Sequence, residues 1–131
     1  MSWIYIPKTI WLETEEETSA AVESLSKNTE GISYDLETSG VDKIKDYPIL
    51  FSLSDGIDRY AGESKLLHCA PLKGLLESNI PKIGSYIANA DLHWSANVGI
   101  NIGGPIYDTI VMDWLYDENR DGKDGHPGHG L

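Results

Sequence analysis

The chain has 131 residues, enough for one domain with one core. Asp and Glu number 21 against 10 Lys and Arg, a formal charge of −11. That excludes a simple basic module that neutralises phosphates, but leaves open an enzyme that meets nucleic acid with clustered carboxylates.

The single cysteine, Cys69, excludes an internal disulfide and fits a reducing, cytoplasmic setting. Apolar runs fall well short of the ~20 residues of a membrane span, so no membrane partner is expected. The opening Met1-Ser2-Trp3-Ile4-Tyr5-Ile6-Pro7 lacks the basic flank and cleavage site of a signal peptide.

Residues 3–12 are apolar and β-leaning, and Pro7 marks them as an edge strand. Thr14-Glu15-Glu16-Glu17 matches a capping box, and Ala21, Val22 and Leu25 recur at helical spacing, which predicts a helix over 15–27. Ile32, Tyr34 and Leu36 alternate with Ser33, Asp35 and Glu37, a half-buried strand reaching Thr38. Residues 39–47 read as a loop and 48–54 as a strand; Asp55-Gly56 marks a hairpin turn into a short strand over 57–61. A helix follows over 66–78, a strand over 82–88, a short helix over 91–97, a strand over 105–107 and a helix over 108–116. Residues 117–131 are polar and Gly-rich, a flexible tail. Hairpins first, then strands alternating with helices, predict an α/β fold with a mixed sheet.

Asp35 and Glu37 are two apart on a strand, so they point to one face. Two readings fit: acids on a solvated face, or a pair whose repulsion a divalent cation relieves. Asp91 opens a helix after an apolar strand, as an N-cap or as a third ligand. His93 reads as a partly buried helix residue, and Asp108 as an N-cap followed by Thr109. In the tail, Asp117-x-Asn119-x-Asp121-Gly122 matches the start of a calcium loop, but Gly128 stands where the bidentate Glu belongs. His126 and His129 alone make a poor zinc site.

Taken together, Ile32-Ser33-Tyr34-Asp35-Leu36-Glu37-Thr38-Ser39-Gly40 resembles the first exonuclease motif of the proofreading domain of family A DNA polymerases, which belong to the DEDD 3′–5′ exonucleases. The resemblance continues through 49–56, 59–62 and 72–77, and covers nearly the whole chain from about residue 11. The second motif departs from the family's pattern. The family places an Asn four residues before the Asp, whereas here Asn89 stands two before Asp91, or Ile87 takes the Asn position. A two-residue loss at this junction could swing the helix start relative to the sheet. Gly104-Pro105-Ile106-Tyr107-Asp108-Thr109 is similar to the family's Asp-Thr helix, and His129-Gly130-Leu131 to the opening of the next helix. The third motif, a Tyr ahead of an Asp in a later helix, has no counterpart, so the domain is expected to lack its C-terminal part.

The resemblance implies an RNase H-like mixed sheet and hydrolysis of a 3′-terminal phosphodiester to nucleoside 5′-monophosphates. Asp35, Glu37 and Asp91 would be catalytic and hold Mg²⁺ or Mn²⁺, with two ions expected in the family. Thr38 and Asn89 would contact substrate. The implied partners are a single-stranded DNA 3′ end and a polymerase domain in a longer chain. The competing expectation is a module that keeps the fold with a degenerate site and serves a structural or interaction role.

Overall fold

The computed structural model describes residues 8–116. Its elements run β1 (Thr9–Leu12), α1 (Glu15–Leu25), β2 (Ile32–Thr38), β3 (Pro48–Ser54), β4 (Arg59–Glu63), a 3₁₀ turn (Ser64–His68), α2 (Ala70–Glu77), β5 (Lys82–Gly84), α3 (Asp91–Asn97), β6 (Ile106–Asp108) and α4 (Thr109–Tyr116). The six strands form one mixed sheet in the order β1-β4-β3-β2-β5-β6. β2/β3 and β3/β4 are antiparallel; β1/β4, β2/β5 and β5/β6 are parallel. The α/β mixed sheet expected from the order of elements is therefore present, and β2 lies at its centre.

The period-2 pattern of β2 sorts its faces. Ile32, Tyr34 and Leu36 are buried while Ser33, Asp35 and Glu37 are exposed. Tyr34 and Leu36 stand opposite Leu53 and Phe51 of β3 and, with Tyr60, join Leu25 of α1 and Leu72, Leu75 and Leu76 of α2 in one core. Burying each such side chain contributes roughly 1.5–3 kcal/mol. The capping box holds at Thr14, whose hydroxyl accepts from the Glu17 N–H at 3.1 Å.

Several expected boundaries move, each for a local reason. The strand after the hairpin begins at Arg59 and not at Ile57, because Asp55 Oδ1 accepts from the N–H groups of both Ile57 and Asp58, which makes them part of the turn. The helix expected over 66–78 is a 3₁₀ turn and a separate α2, since Pro71 has no N–H to continue a helix and fits only a first turn. His93 is exposed, not partly buried; Trp94 is the buried residue of that pair. Cys69 is buried and unpaired. The expected edge strand is β1, and its first residues lie outside the described residues. The same holds for the expected tail, with its calcium-like and His126/His129 features.

The strand expected over 82–88 ends at Gly84, and turns occupy 85–90. A Cβ on Gly84 would stand 2.9 Å from the Tyr34 carbonyl oxygen and 3.0 Å from Ile87 Cβ, so the chain passes there only without a side chain. Lys82, at the start of β5, is fully buried, and its Nζ donates to the carbonyls of Ser78, Ile80 and Gly103 at 3.0, 2.6 and 2.8 Å. Burial pushes this ammonium down to about 8, while the three acceptors use all three of its protons.

Candidate active site

β5 pairs with β2 only at Ile32 and Ser33. Beyond that point β2 has no strand on this side, and its backbone needs another acceptor. Asp91, first residue of α3, supplies it: Oδ1 accepts from the Leu36 N–H at 2.9 Å. The carboxylate is thereby docked on the peptide between Asp35 and Glu37. α3 is held against β2 a second time by a 2.9 Å hydrogen bond between the Tyr34 phenol and the Ser95 hydroxyl, both buried. Asp91 itself is 3% exposed. Burial pushes its carboxyl up to about 7; the Leu36 N–H works against that, and the charge of Asp35 adds to it.

Asp35, Glu37, Thr38, Asn89 and Asp91 all line one cavity of about 770 Å³. All five site residues expected from the sequence thus border the same space. β2 is irregular at its C-terminal end, with a register shift between Glu37 and Thr38 against β3. The Thr38 hydroxyl donates to the Gly40 carbonyl at 2.7 Å and so shapes the loop that follows. Lys43 of that loop donates from Nζ to the Asn89 carbonyl at 2.8 Å, and Asn97 Nδ2 donates to the Lys43 carbonyl at 2.9 Å. These bonds tie the loop after β2 to the α3 side of the cavity.

The junction between β5 and α3 contains the sole non-Gly residue with positive φ among the described residues, Tyr86 at 60°. Despite the altered spacing of Asn89 and Asp91, α3 starts at Asp91 and its carboxylate reaches β2. Asp108 does more than the N-capping expected of it. It does cap α4 as expected, accepting from the Ile110 N–H at 3.0 Å, but its oxygens also accept from the N–H groups of Tyr86 and Ala88, both at 3.1 Å. Only the Asp-Thr pair at a strand–helix junction was visible as a signal.

The donor set is all carboxylate oxygen, which suits a hard divalent cation such as Mg²⁺ or Mn²⁺. Among the described residues no Lys or Arg forms an ion pair with Asp35, Glu37 or Asp91. Lys43, which also lines the cavity, spends its Nζ on the Asn89 carbonyl and not on these carboxylates. The spacing is looser than a finished cage, since among the described residues no three His, Cys, Asp or Glu side chains are grouped to hold an ion. The chemistry of the residues fits a cation, with Asp35 and Glu37 on an open face and Asp91 behind them.

A mixed sheet with an antiparallel β4-β3-β2 meander continued by parallel β5 and β6, with helices packed on it, is the RNase H-like class of fold. A model of the 3′–5′ exonuclease family matches residues 9–131, and the chain belongs to that family. No curated protein matches it in sequence. Among solved structures it is similar to RNase D of Escherichia coli, an exoribonuclease involved in structured RNA processing, at TM-score 0.69 and 18% identity over 93% of this chain and 37% of that one. It is similar to Trypanosoma brucei RNase D in complex with RNA U12, at TM-score 0.64 and 19% identity over 80% of this chain and 38% of that one. It is also similar to Brucella melitensis NrnC bound to pGG, at TM-score 0.65 and 22% identity over 78% of this chain and 48% of that one. These likenesses show the fold, and the chain spans less than half the length of each. Among the described residues no helix is long and apolar enough to cross a membrane.

Proposed function

We propose that this chain is a metal-dependent 3′–5′ exonuclease module that removes nucleoside 5′-monophosphates from a single-stranded 3′ end, with Asp35, Glu37 and Asp91 as its catalytic carboxylates. The observation that carries the reading is the docking of Asp91 on the Leu36 N–H, which sets a carboxylate from α3 against the Asp-x-Glu of β2 at one cavity. Asp35 and Glu37 would hold Mg²⁺ or Mn²⁺, with Asp91 contributing. Two such ions, when bound, lower the pKa of an attacking water and stabilise the leaving 3′ oxygen. Asp91 must give up its proton to ligate, and it does so as pH rises through about 7. Thr38 and Asn89, which border the same cavity, would contact the terminal nucleotide.

The proposed substrate is DNA and the proposed setting a cytoplasmic polymerase, on the resemblance of residues 32–40 to the proofreading motif. A neighbouring basic domain would supply the phosphate affinity that a charge of −11 withholds. Two of the three structural neighbours named above carry RNA U12 and pGG, so the assay has both a DNA and an RNA arm. The 131 residues contain three of the four carboxylates of the class and no Tyr at the third-motif spacing, so their own activity is expected to be weak.

The test is release of nucleoside monophosphate from single-stranded DNA and RNA 12-mers with Mn²⁺. Asp35→Ala and Glu37→Ala are each expected to lower the rate at least about 100-fold, as when a metal site is dismantled. Variants as active as the parent would overturn the assignment. The loose grouping of the carboxylates favours one second reading, a module that keeps the fold without catalysis. A calorimetric Mn²⁺ titration of the folded parent that shows no binding would establish that reading instead.

A further inference from the structure

Asp108 is 6% exposed, and among the described residues no Lys or Arg forms an ion pair with it. Its carboxylate is satisfied by backbone alone. Oδ1 accepts from Tyr86 N–H at 3.1 Å and Ile110 N–H at 3.0 Å, and Oδ2 accepts from Ala88 N–H at 3.1 Å. Two of these donors precede it by 22 and 20 residues, in the turn that joins β5 to α3. That turn is strained, since Tyr86 has φ 60° in the left-handed region that residues with a Cβ avoid. Within the turn, the N–H of Ala90 donates to the Tyr86 carbonyl at 3.0 Å. Asn89 and Asp91 follow at once. A carboxylate that grips the N–H on Tyr86 and the N–H two residues later holds the backbone on both sides of the strained residue.

We propose that Asp108 is a positioning residue for the cavity: its carboxylate clamps the Tyr86–Ala88 turn and so presents Asn89 and Asp91 to Asp35 and Glu37. Its role is positioning, because its oxygens already accept three backbone N–H groups and the side chain is buried. The consequence for metal rests on the exonuclease reading, whereas the clamp does not.

Asp108→Asn tests it, because the amide can offer only one acceptor oxygen and turns a donor toward the second N–H. The variant is expected to keep the far-UV circular dichroism of the parent. Amide hydrogen exchange at Tyr86 and Ala88 should quicken by about tenfold or more, and Leu36, whose N–H donates to Asp91, should follow, while the amides that pair β3 with β4 stay protected. The Mn²⁺ dissociation constant, read by electron paramagnetic resonance, should rise about 10- to 100-fold, the usual range for losing a residue that orients ligands. Adding Tyr86→Gly should recover part of that affinity, because glycine adopts the left-handed conformation without a clamp. A folded Asp108→Asn with parental exchange at Tyr86 and Ala88 would overturn the proposal. If the variant does not fold, exchange in the parent decides: protection at these two amides equal to that of β5 supports the clamp, and free exchange overturns it. A parent that binds no Mn²⁺ refutes the metal reading alone, and the exchange measurements still judge Asp108.

Discussion

Folding carries the Asp91 carboxyl out of water and pushes it up to about 7, mainly through burial, with Asp35 and Asp108 adding their charge. An aspartate raised in the folded state stabilises the fold fully below its unfolded pKa, near 4. That contribution is lost as pH climbs to about 7, because the unfolded chain releases a proton that the folded chain keeps. Above that pH the metal-free protein holds a buried anion. Asp91→Asn keeps an oxygen for the Leu36 N–H and removes the charge. Without metal, its thermal midpoint at pH 8 is expected to exceed that of the parent by an amount worth up to about 4 kcal/mol, and the gain should vanish near pH 4. Differential scanning fluorimetry across that range measures it, and equal midpoints at pH 8 would show that the ionised form is not penalised.

The element that decides the site is β5, through its shortness. Had the strand continued to residue 88 it would have paired with the rest of β2 and left Leu36 no need of Asp91. Gly84 marks the stop: its missing side chain lets the backbone pass the Tyr34 carbonyl before the turn held by Asp108. Gly84→Ala is expected to lower stability by roughly 1–3 kcal/mol, the range for forcing atoms into a filled interior. The urea midpoint measures this, and the change should weaken Mn²⁺ binding as well, because the strain falls on the segment leading to Asp91. An unchanged midpoint would mean that β5 can shift without loss.

Across the whole molecule, acids outnumber bases by 11, and three of those acids border a cavity with no ion pair to a described Lys or Arg. A cation bound there stabilises the folded state by mass action. At Mn²⁺ of about 100 times its dissociation constant the gain is about 2.7 kcal/mol, which raises the thermal midpoint on the order of 10 °C for a domain of this size. The rise should be larger at pH 8 than at pH 5, since a protonated Asp91 competes with the metal. The double variant Asp35→Ala/Glu37→Ala should lose it. A rise of equal size in that variant would put the cation elsewhere on the acidic surface.

What the sequence determined by itself rests on local signals. The alternation over 32–37 sorted buried from exposed residues because successive side chains on a strand must point to opposite faces. Thr14 and Asp55 declared a helix start and a turn because their side chains bond backbone within three residues. The order of elements, and with it the mixed sheet, followed. Only the tertiary structure decided that Asp91 serves Leu36, 55 residues away, and that Asp108 reaches back to Tyr86 and Ala88. It also buried Lys82 among three carbonyls, one of them 21 residues distant. The Asp91 and Asp108 bonds exist because β5 stops early and leaves backbone N–H groups that must be paired. Where a strand stops depends on what packs across it, which no local spacing records.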